Sequence, residues 1–346
     1  MVLNFKPGCS IFKPYLNFDC NFLHLYNLNM ISTRNIIKST TFLAILTCWL
    51  WSTAFATVKI GLQYNTPFQF GGLRFIIAGI MLFIYFGKPK TIISEFRANW
   101  KFILLLSVVQ FSAQYAFFYK GMNLVPGALG AMIIGSSPIF IAVIAHFSMH
   151  NDKMTPLKTG SIVIGLIGIA IITLGRTKVE IKNELELLGI GFLFANNILS
   201  GYSNVMVSKF QTGKSPMVLS STSLFIGGLM LFAVSIPVEG INWGPFPPVY
   251  YFTLAWLGFI SAAAFAIWYT LLQRPGVKVS ILNTWKFIIP VLGAVLSWIL
   301  IKEEKPDWIS IAGMAVITLS LLILNYANRR NKVDKELVTT IETPAE

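Results

Sequence analysis

The chain contains the stretch Ser280-Ile-Leu-Asn-Thr-Trp-Lys-Phe-Ile-Ile-Pro290-Val-Leu-Gly-Ala-Val-Leu-Ser-Trp-Ile-Leu-Ile301, in which Lys286 is the only charged residue. At about 1.5 Å per residue, a helix of this length crosses the roughly 30 Å hydrocarbon core of a bilayer. A lysine at the centre of such a helix costs about 2.5 to 3.5 kcal/mol. Lys286 therefore predicts either a cation at a binding site or a side chain that snorkels to the membrane surface. It lies roughly 10 Å of helix inside the predicted boundary, which favours the binding site.

The composition of the whole chain points to the same environment. The protein has 346 residues, of which 55% are hydrophobic and 12% are charged, and its mean hydropathy is +0.68. Soluble domains have about 25% charged residues, so a water-soluble fold could not hide this much apolar surface. Transmembrane β-barrels show alternating polarity instead of continuous apolar runs. We therefore predict an all-α membrane protein.

The charged and metal-binding residue types exclude several classes of function. The net charge is +13, but the basic residues lie mostly in short loops between apolar runs, where they set membrane topology and do not indicate a nucleic-acid partner. The three Cys and three His residues show no ligand spacing typical of a metal site and no disulfide framework. We expect no metal and no cofactor.

Apolar runs separated by short polar breaks predict ten transmembrane helices. The runs are 41–60, 67–86, 101–119, 125–147, 159–175, 187–208, 217–236, 250–271, 279–301 and 308–326. The first run could instead be the apolar core of a signal peptide cleaved at Ala54-Phe55-Ala56. Its length, and the nine further runs, favour a membrane span.

The segments outside the spans set the expected orientation. Most Lys and Arg residues of the short loops fall on the side that carries both termini if the number of spans is even, which predicts cytoplasmic termini in a cell (inner) membrane. Residues 1–40 form an N-terminal arm, although Met30 could be the true start and 1–29 a misassigned extension. Residues 327–346 are polar and predict a disordered cytoplasmic tail.

Two segments of the chain resemble each other. Tyr119-Lys-Gly-Met-Asn-Leu-Val-Pro126-Gly127 followed by Pro138 matches Tyr269-Thr-Leu-Leu-Gln-Arg-Pro275-Gly276 followed by Pro290. Each has a helix that ends near a Tyr, a Pro-Gly turn, and a helix interrupted by a proline. We predict two five-helix repeats, 41–175 and 187–326, joined by an outer linker, 176–186. Because five is odd, the second repeat enters the membrane inverted, which places a cavity at the interface.

The opening of the first repeat resembles a known family. Trp49-Leu-Trp51-Ser52-Thr53-Ala54-Phe55, then Lys59, Pro67 and Arg74-Phe75-Ile-Ile-Ala78-Gly79, is similar to EamA-type transporters of the drug/metabolite transporter superfamily. The resemblance covers about residues 41–326 and implies a 5+5 inverted repeat, alternating access and a central substrate cavity. The family pattern usually has a Glu in the turn after each proline helix. The second repeat offers Glu303 or Glu304, whereas the first offers only Asn151 or Asp152.

The charged residues inside the predicted spans indicate the charge of the substrate. All 14 acidic residues fall outside the spans, whereas Arg74 and Lys286 lie inside them. Exporters of cations usually need an acidic residue in the membrane, so a cavity with two cations favours a substrate that bears a carboxylate or phosphate. Arg74 could alternatively be a structural clasp on helix-end carbonyls. Lys59 and Lys120 lie at helix ends, where an interfacial lysine is ordinary.

Polar and aromatic residues complete the predicted site. Gln110, Gln114 and Tyr115 share one face of the third span, and Asn196, Asn197, Ser200 and Ser203 share one face of the sixth. Either set could line the cavity or bridge helices. The predicted substrate-binding residues are Lys286, Trp285, Asn283, Arg74, Gln114, Tyr115, Asn197, Tyr202 and Trp268, and the predicted gating residues are Pro138 and Pro290.

We therefore expect a secondary transporter of a small organic metabolite, such as an amino acid, a nucleotide or a related compound, and not an enzyme. Its partners would be the substrate and the lipid bilayer, with the protein a monomer or a homodimer. One alternative is an integral membrane enzyme that acts on lipid-linked substrates, for which His146, His150 and Asp152 are the nearest approach to a catalytic cluster. Another is a lipid-handling protein, in which the paired proline helices would have no evident purpose.

Overall fold

The computed structural model describes residues 39–150, 152–175, 184–210, 215–303 and 305–342, and within these ranges the regular structure is helical. The α-helices, numbered in chain order, are α1 (Thr40–Ser52), α2 (Ala54–Gly61), α3 (Pro67–Phe86), α4 (Pro89–Leu106), α5 (Tyr115–Leu124), α6 (Gly127–Gly135), α7 (Ser137–Ser148), α8 (Pro156–Gly175), α9 (Glu184–Lys209), α10 (Pro216–Glu239), α11 (Pro248–Leu272), α12 (Val279–Asn283), α13 (Ile288–Leu300) and α14 (Trp308–Glu342). A π-helix (Ser107–Gln114) joins α4 to α5, and a 3-10 helix (Thr284–Phe287) joins α12 to α13. Leu43–Glu346 form one compact unit; of the other, Met1–Phe42, only residues 39–42 are described.

Proline marks where several helices begin. It stands at the first position of α3, α4, α8, α10 and α11, where its missing N–H would have had no partner inside the helix. At the start of α10 the Ser215 hydroxyl also accepts from the backbone N of Val218, at 3.5 Å. After α3, Gly87 ends the helix with φ of 60°, a conformation that glycine adopts at little cost.

Nine helical segments of the described residues are long and apolar enough to cross a membrane. They are Thr40–Gly61, Pro67–Phe86, Pro89–Leu124, Gly127–Ser148, Leu185–Lys209, Pro216–Glu239, Pro248–Leu272, Val279–Leu300 and Trp308–Ala327. The remaining predicted span, the fifth, corresponds to α8, in which the apolar segment Pro156–Gly168 is shorter. The count of ten therefore stays a prediction.

The helical segment that contains the third predicted span, Pro89–Leu124, begins before residue 101, but the dihedral angles of Asn99 (φ −131°, ψ 15°) mark a kink two residues before that position. One prediction about the end of the last span was wrong. The segment 327–342, predicted to be disordered, continues α14 as a helix. Ala, Arg, Lys, Glu and Leu favour helix there, and no proline occurs before residue 344. The predicted arm, 1–40, and the linker, 176–186, lie mostly outside the described residues.

The largest contacts between helices join α3 to α10, α8 to α14, and α6 to α13. Counted along the predicted spans, these are the second with the seventh, the fifth with the tenth, and the fourth with the ninth. Small residues allow the approach: a Cβ on Gly72 of α3 would lie 2.7 Å from the backbone N of Phe232, and one on Gly79 would lie 2.6 Å from Cβ of Phe225.

The two helices that contain a central proline, Pro138 in one and Pro290 in the other, are both interrupted just before it. In the first, the N–H of Ser136 bonds to the carbonyls of Ile133 and Ile134. In the second, the N–H of Ile288 bonds to the carbonyls of Trp285 and Lys286. Each of these N–H groups lies two residues before its proline, so a tighter turn precedes each ring.

The two interrupted helices also contact each other at these turns. A Cβ built on Gly135, the last residue of α6, would lie 2.2 Å from Cδ of Pro290. A Cβ on Gly293, one turn further along α13, would lie 2.8 Å from Cβ of Ala131. The interruptions therefore meet inside the protein, where their backbone groups are shielded from lipid.

Candidate substrate cavity

A cavity lies among the helices, a place where helical bundles commonly hold small molecules. Helices of both predicted repeats contribute to its wall. Its lining residues are Trp51, Ala54, Phe55, Arg74, Gln110, Gln114, Tyr115, Phe118, Ile134, Ser137, Asn196, Asn197, Ser200, Asn204, Phe265, Trp268, Lys286 and Ile289.

Lys286 reaches this cavity from the 3-10 turn between α12 and α13. The residue is only 5% exposed, so its side chain does not snorkel to the protein surface. Its Nζ lies 5.4 Å from the ring centroid of Trp51 and 5.1 Å from that of Trp268. Both distances suit a cation–π interaction, which partly compensates a buried ammonium group. Among the described residues no acidic side chain pairs with it.

Arg74, on α3, lies on the same cavity but is held by protein groups. Its Nε donates to the hydroxyl of Ser261 at 2.6 Å, and its Nη1 donates to the hydroxyl of Tyr119 at 3.2 Å. Its guanidinium also lies 5.1 Å from the ring of Phe75 and 5.6 Å from that of Tyr115. It is thus clasped by hydroxyl groups and rings, whereas the sequence favoured helix-end carbonyls.

The π-helix places two glutamines on the cavity wall. Gln110 Oε1 accepts from the hydroxyl of Tyr269 at 2.8 Å, and Gln114 Oε1 accepts from that of Ser203 at 3.4 Å. These side chains therefore both line the cavity and bridge helices. A Cβ on Gly227 of α10 would lie 2.3 Å from Cβ of Phe111, so the wide turn is packed closely against that helix.

Helix α9 supplies a wall of carboxamides. Asn197 Nδ2 donates to the carbonyl of Ile133, at the interruption of the first proline helix, at 2.8 Å. Asn196 Nδ2 donates to Asn197 Oδ1 at 3.1 Å. About two turns after Asn197 on the same helix, Asn204 Oδ1 accepts from Nε1 of Trp268 at 2.8 Å. The amides thus fix the backbone break and one aromatic wall relative to α9.

Aromatic side chains form the apolar part of the wall. The rings of Trp51 and Trp268 lie edge to face with centroids 5.1 Å apart, and Trp51 makes a similar contact with Phe265 at 5.5 Å. Phe55 and Phe118 pair at 6.2 Å in the same manner. This cluster offers flat surfaces to an organic molecule, and two of its indoles lie beside the Lys286 ammonium.

The cavity brings together six of the nine predicted substrate-binding residues: Arg74, Gln114, Tyr115, Asn197, Trp268 and Lys286. Asn283 lies behind the wall, where its Nδ2 donates to Asn204 Oδ1 at 3.3 Å. Trp285 and Tyr202 are not among the lining residues. Trp285 packs against the hydrophobic core, and Tyr202 is 51% exposed.

The helix periods explain these two misplacements. Tyr202 lies two residues from Ser200, or about 200° around α9, and so points away from the amide face. Trp285 neighbours Lys286 in a 3-10 turn, where successive side chains diverge by about 120°. Asn204, which the sequence analysis missed, lies one turn beyond Ser200 and continues its face. The positions of Trp51, Phe55 and Phe265 carried no comparable signal.

A buried carboxylate, that of Asp152, connects helices at one end of the bundle. The Asp152 carboxylate pairs with Nζ of Lys158 at 2.9 Å, with side chains only 2% and 5% exposed. It also accepts from the backbone N and hydroxyl of Ser280, at the start of α12. Nearby, His146 Nδ1 accepts from the backbone N of Met154. The first repeat's acidic turn thus has a structural role, and in the described residues no three His, Cys, Asp or Glu side chains are placed to hold a metal.

A second ionic contact lies at the start of α3. Lys120 pairs with Glu239 at 3.1 Å, and the other oxygen of Glu239 accepts from the backbone N of Phe68. Lys59 donates to the carbonyl of Met122 at 3.1 Å. Both lysines therefore contact helix-end groups, as is ordinary for lysines in these positions.

Comparisons with known proteins agree with this architecture. The model of the EamA-like transporter family matches two segments of the chain, residues 38–174 and 187–326. The uncharacterized transporter YoaV of Bacillus subtilis (strain 168) is 24% identical over 82% of this chain and 96% of its own length. A protein of Chlamydia muridarum (strain MoPn / Nigg) named as an S-adenosylmethionine/S-adenosylhomocysteine transporter is 24% identical over 81% of this chain and 90% of its own length.

A solved crystal structure of a protein shares the fold. It aligns with a TM-score of 0.67 over 84% of this chain and 99% of that chain, at 18% identity. The family model covers most of the chain in two consecutive matches, and the helices it covers enclose the cavity. The chain therefore belongs to the EamA-like transporter family.

Proposed function

We propose that this transporter moves a small organic metabolite bearing an anionic group, and that the group binds at Lys286. The observation that carries the proposal is the environment of its ammonium, which lies beside two indole rings with no acidic partner among the described residues. A buried charge without a counter-ion is costly, so an anionic substrate would supply the missing partner. The same charge would disfavour a cation.

Transport would proceed by alternating access through the cavity. Two observations support an inverted pair of five-helix repeats, 41–175 and 187–326: the backbone breaks at the same offset before Pro138 and Pro290, and the largest contacts join spans of equal rank. In this scheme the two prolines lie where the halves move against each other. The protein would have ten spans and lie in the cell (inner) membrane with both termini in the cytoplasm.

The test begins with a thermal-shift screen of purified protein against carboxylates, phosphates, uncharged compounds and permanent cations. Compounds that stabilise the protein are then used in proteoliposome uptake. Lys286→Ala should abolish uptake while the variant still inserts in the membrane, because the substrate loses its counter-charge. Lys302→Ala, on an exposed turn after α13, is the matched control and should transport normally. Normal uptake by Lys286→Ala, or stabilisation chiefly by cations, would refute the proposal.

The names of the Chlamydia relatives supply two probes of the same charge argument. S-adenosylmethionine carries a sulfonium cation that S-adenosylhomocysteine lacks, and the two compounds are otherwise closely similar. With Lys286 and Arg74 both on the cavity wall, we expect the homocysteine compound to bind more tightly. Tighter binding of the sulfonium compound would count against an anion-binding cavity.

A further inference from the structure

The cavity wall keeps hydrogen-bond donors that no described protein group uses. Gln110 uses its Oε1 as an acceptor for Tyr269, and Gln114 Oε1 lies 3.4 Å from the Ser203 hydroxyl, whose single proton has a nearer acceptor in the carbonyl of Ser200 at 3.0 Å. Each glutamine therefore keeps its Nε2 amide group, for which no acceptor occurs among the described residues. These two groups lie one turn apart on the cavity wall and offer N–H donors to a bound molecule.

Lys286 adds the strongest donor to this set. An ammonium group has three N–H bonds, and here the neighbours within cation–π distance are the rings of Trp51 and Trp268, which accept no conventional hydrogen bond. No hydrogen-bond acceptor for its Nζ is found in the part of the chain that the structure describes. The donor set of the cavity therefore carries a full positive charge.

Acceptors are scarcer on the same wall. The oxygen of Asn197 accepts from Asn196, and the oxygen of Asn204 accepts from Trp268. Of these three amides, only Asn196 has an oxygen without a donor among the described residues. The described lining also contains no Asp or Glu. The hydroxyls of Tyr115, Ser137 and Ser200 also line the cavity and can donate or accept, so the charges decide. An ammonium group entering here would meet two cations, Arg74 and Lys286.

We propose that the substrate is an organic monoanion without an ammonium group: an aromatic or heteroaromatic carboxylate. Its carboxylate would accept from Lys286 and a glutamine amide, and its ring would lie against the faces of Trp51, Trp268 or Phe265. Arg74 is held by the hydroxyls of Ser261 and Tyr119, so the proposal places the carboxylate at Lys286, for which no such contact is found among the described residues. This inference rests on the proposed function and narrows its substrate class, excluding α-amino acids.

Four indole compounds test the inference, because they share a ring and differ in charge. They are indole-3-propionate, the neutral indole-3-propionamide, the zwitterion tryptophan and the cation tryptamine. Binding to purified full-length protein in nanodiscs is measured by titration calorimetry at pH 7. We expect indole-3-propionate to bind at least about tenfold more tightly than the amide and tryptophan, and tryptamine not to bind.

Two variants test whether Lys286 causes the preference for the carboxylate over the amide. Lys286→Met keeps the length of the apolar stem and should remove the preference of the carboxylate over the amide, whereas Lys302→Met should keep it. If tryptophan binds as tightly as indole-3-propionate and its binding depends on Lys286, the narrower substrate class is wrong and the proposed function stands. If tryptamine binds most tightly, both are wrong. If none of the four binds, the aromatic-carboxylate class is wrong, and the broader screen decides the proposed function.

Discussion

The carboxylate of Asp152 accepts two hydrogen bonds from Ser280, at 2.9 Å from the backbone N and 2.6 Å from the hydroxyl oxygen. Asp152 follows α7 and Ser280 opens α12, so the contact joins the two interrupted helices on one side of the cavity. Separation of these two helices would therefore break both hydrogen bonds.

Asp152→Ala should lower the free energy of unfolding by about 3 to 5 kcal/mol, because Lys158 is left as a buried, unpaired charge. The measurement is thermal or denaturant unfolding of purified protein in detergent. Asp307→Ala is the control. Asp307 also accepts from a backbone N, that of Ser310, but it is half-buried and should cost only about 1 kcal/mol.

A double variant separates the ion pair from the helix-capping contact. Adding Lys158→Met to Asp152→Ala removes the unpaired charge and should recover part of the lost stability. Equal stability of the single and double variants would show that the pairing with Lys158 is not what makes Asp152 important.

Gly135→Ala should destabilise the protein by about 1 to 3 kcal/mol, since the new Cβ would overlap Pro290, whose Cδ lies 2.2 Å away. The new Cβ is bonded to Cα, and Cδ of Pro290 is bonded to the backbone N. Neither atom can therefore move aside unless the two interrupted helices separate. Gly191→Ala, on α9, is the matched control because a Cβ there meets nothing within 4 Å. The two variants are compared by melting temperature and by folded yield; equal values would contradict the close contact.

Ser261→Ala tests the clasp on Arg74. The substitution leaves the buried Nε of Arg74 without its 2.6 Å acceptor, which should cost about 1 to 3 kcal/mol. Ser94→Ala removes a hydroxyl that donates to the carbonyl of Thr91 on an exposed surface and should change stability little. Both are read by thermal unfolding. An unchanged melting temperature for Ser261→Ala would mean that Arg74 is available to the substrate instead.

The orientation in the membrane is tested at the end of α14. A single cysteine introduced by Thr340→Cys should react with an impermeant maleimide only in inside-out vesicles, because the loop charges predict cytoplasmic termini. Labelling of intact cells would reverse the topology. The native cysteines are removed first; of these, Cys48 is buried and Cys9 and Cys20 precede the described residues.

Several features of the site followed from the sequence alone. Lys286 and Arg74 stood out because a charge within an apolar run is costly. Gln114, Asn197 and their neighbours stood out because a 3.6-residue period places them on one face. The paired prolines marked both interruptions, because a ring without an N–H cannot continue a helix unchanged.

Other features required the tertiary structure, because they depend on residues far apart in the chain. The two indoles around Lys286 come from α1 and α11, and the donor of each cavity glutamine comes from another helix. The direction of each amide was set only by these partners. The sequence alone determined three things: hydropathy indicated a membrane environment, the helical period indicated the polar faces, and the cost of burial singled out the charged residues. The packing of distant helices decided which charged side chain contacts polar protein groups and which is left for a ligand.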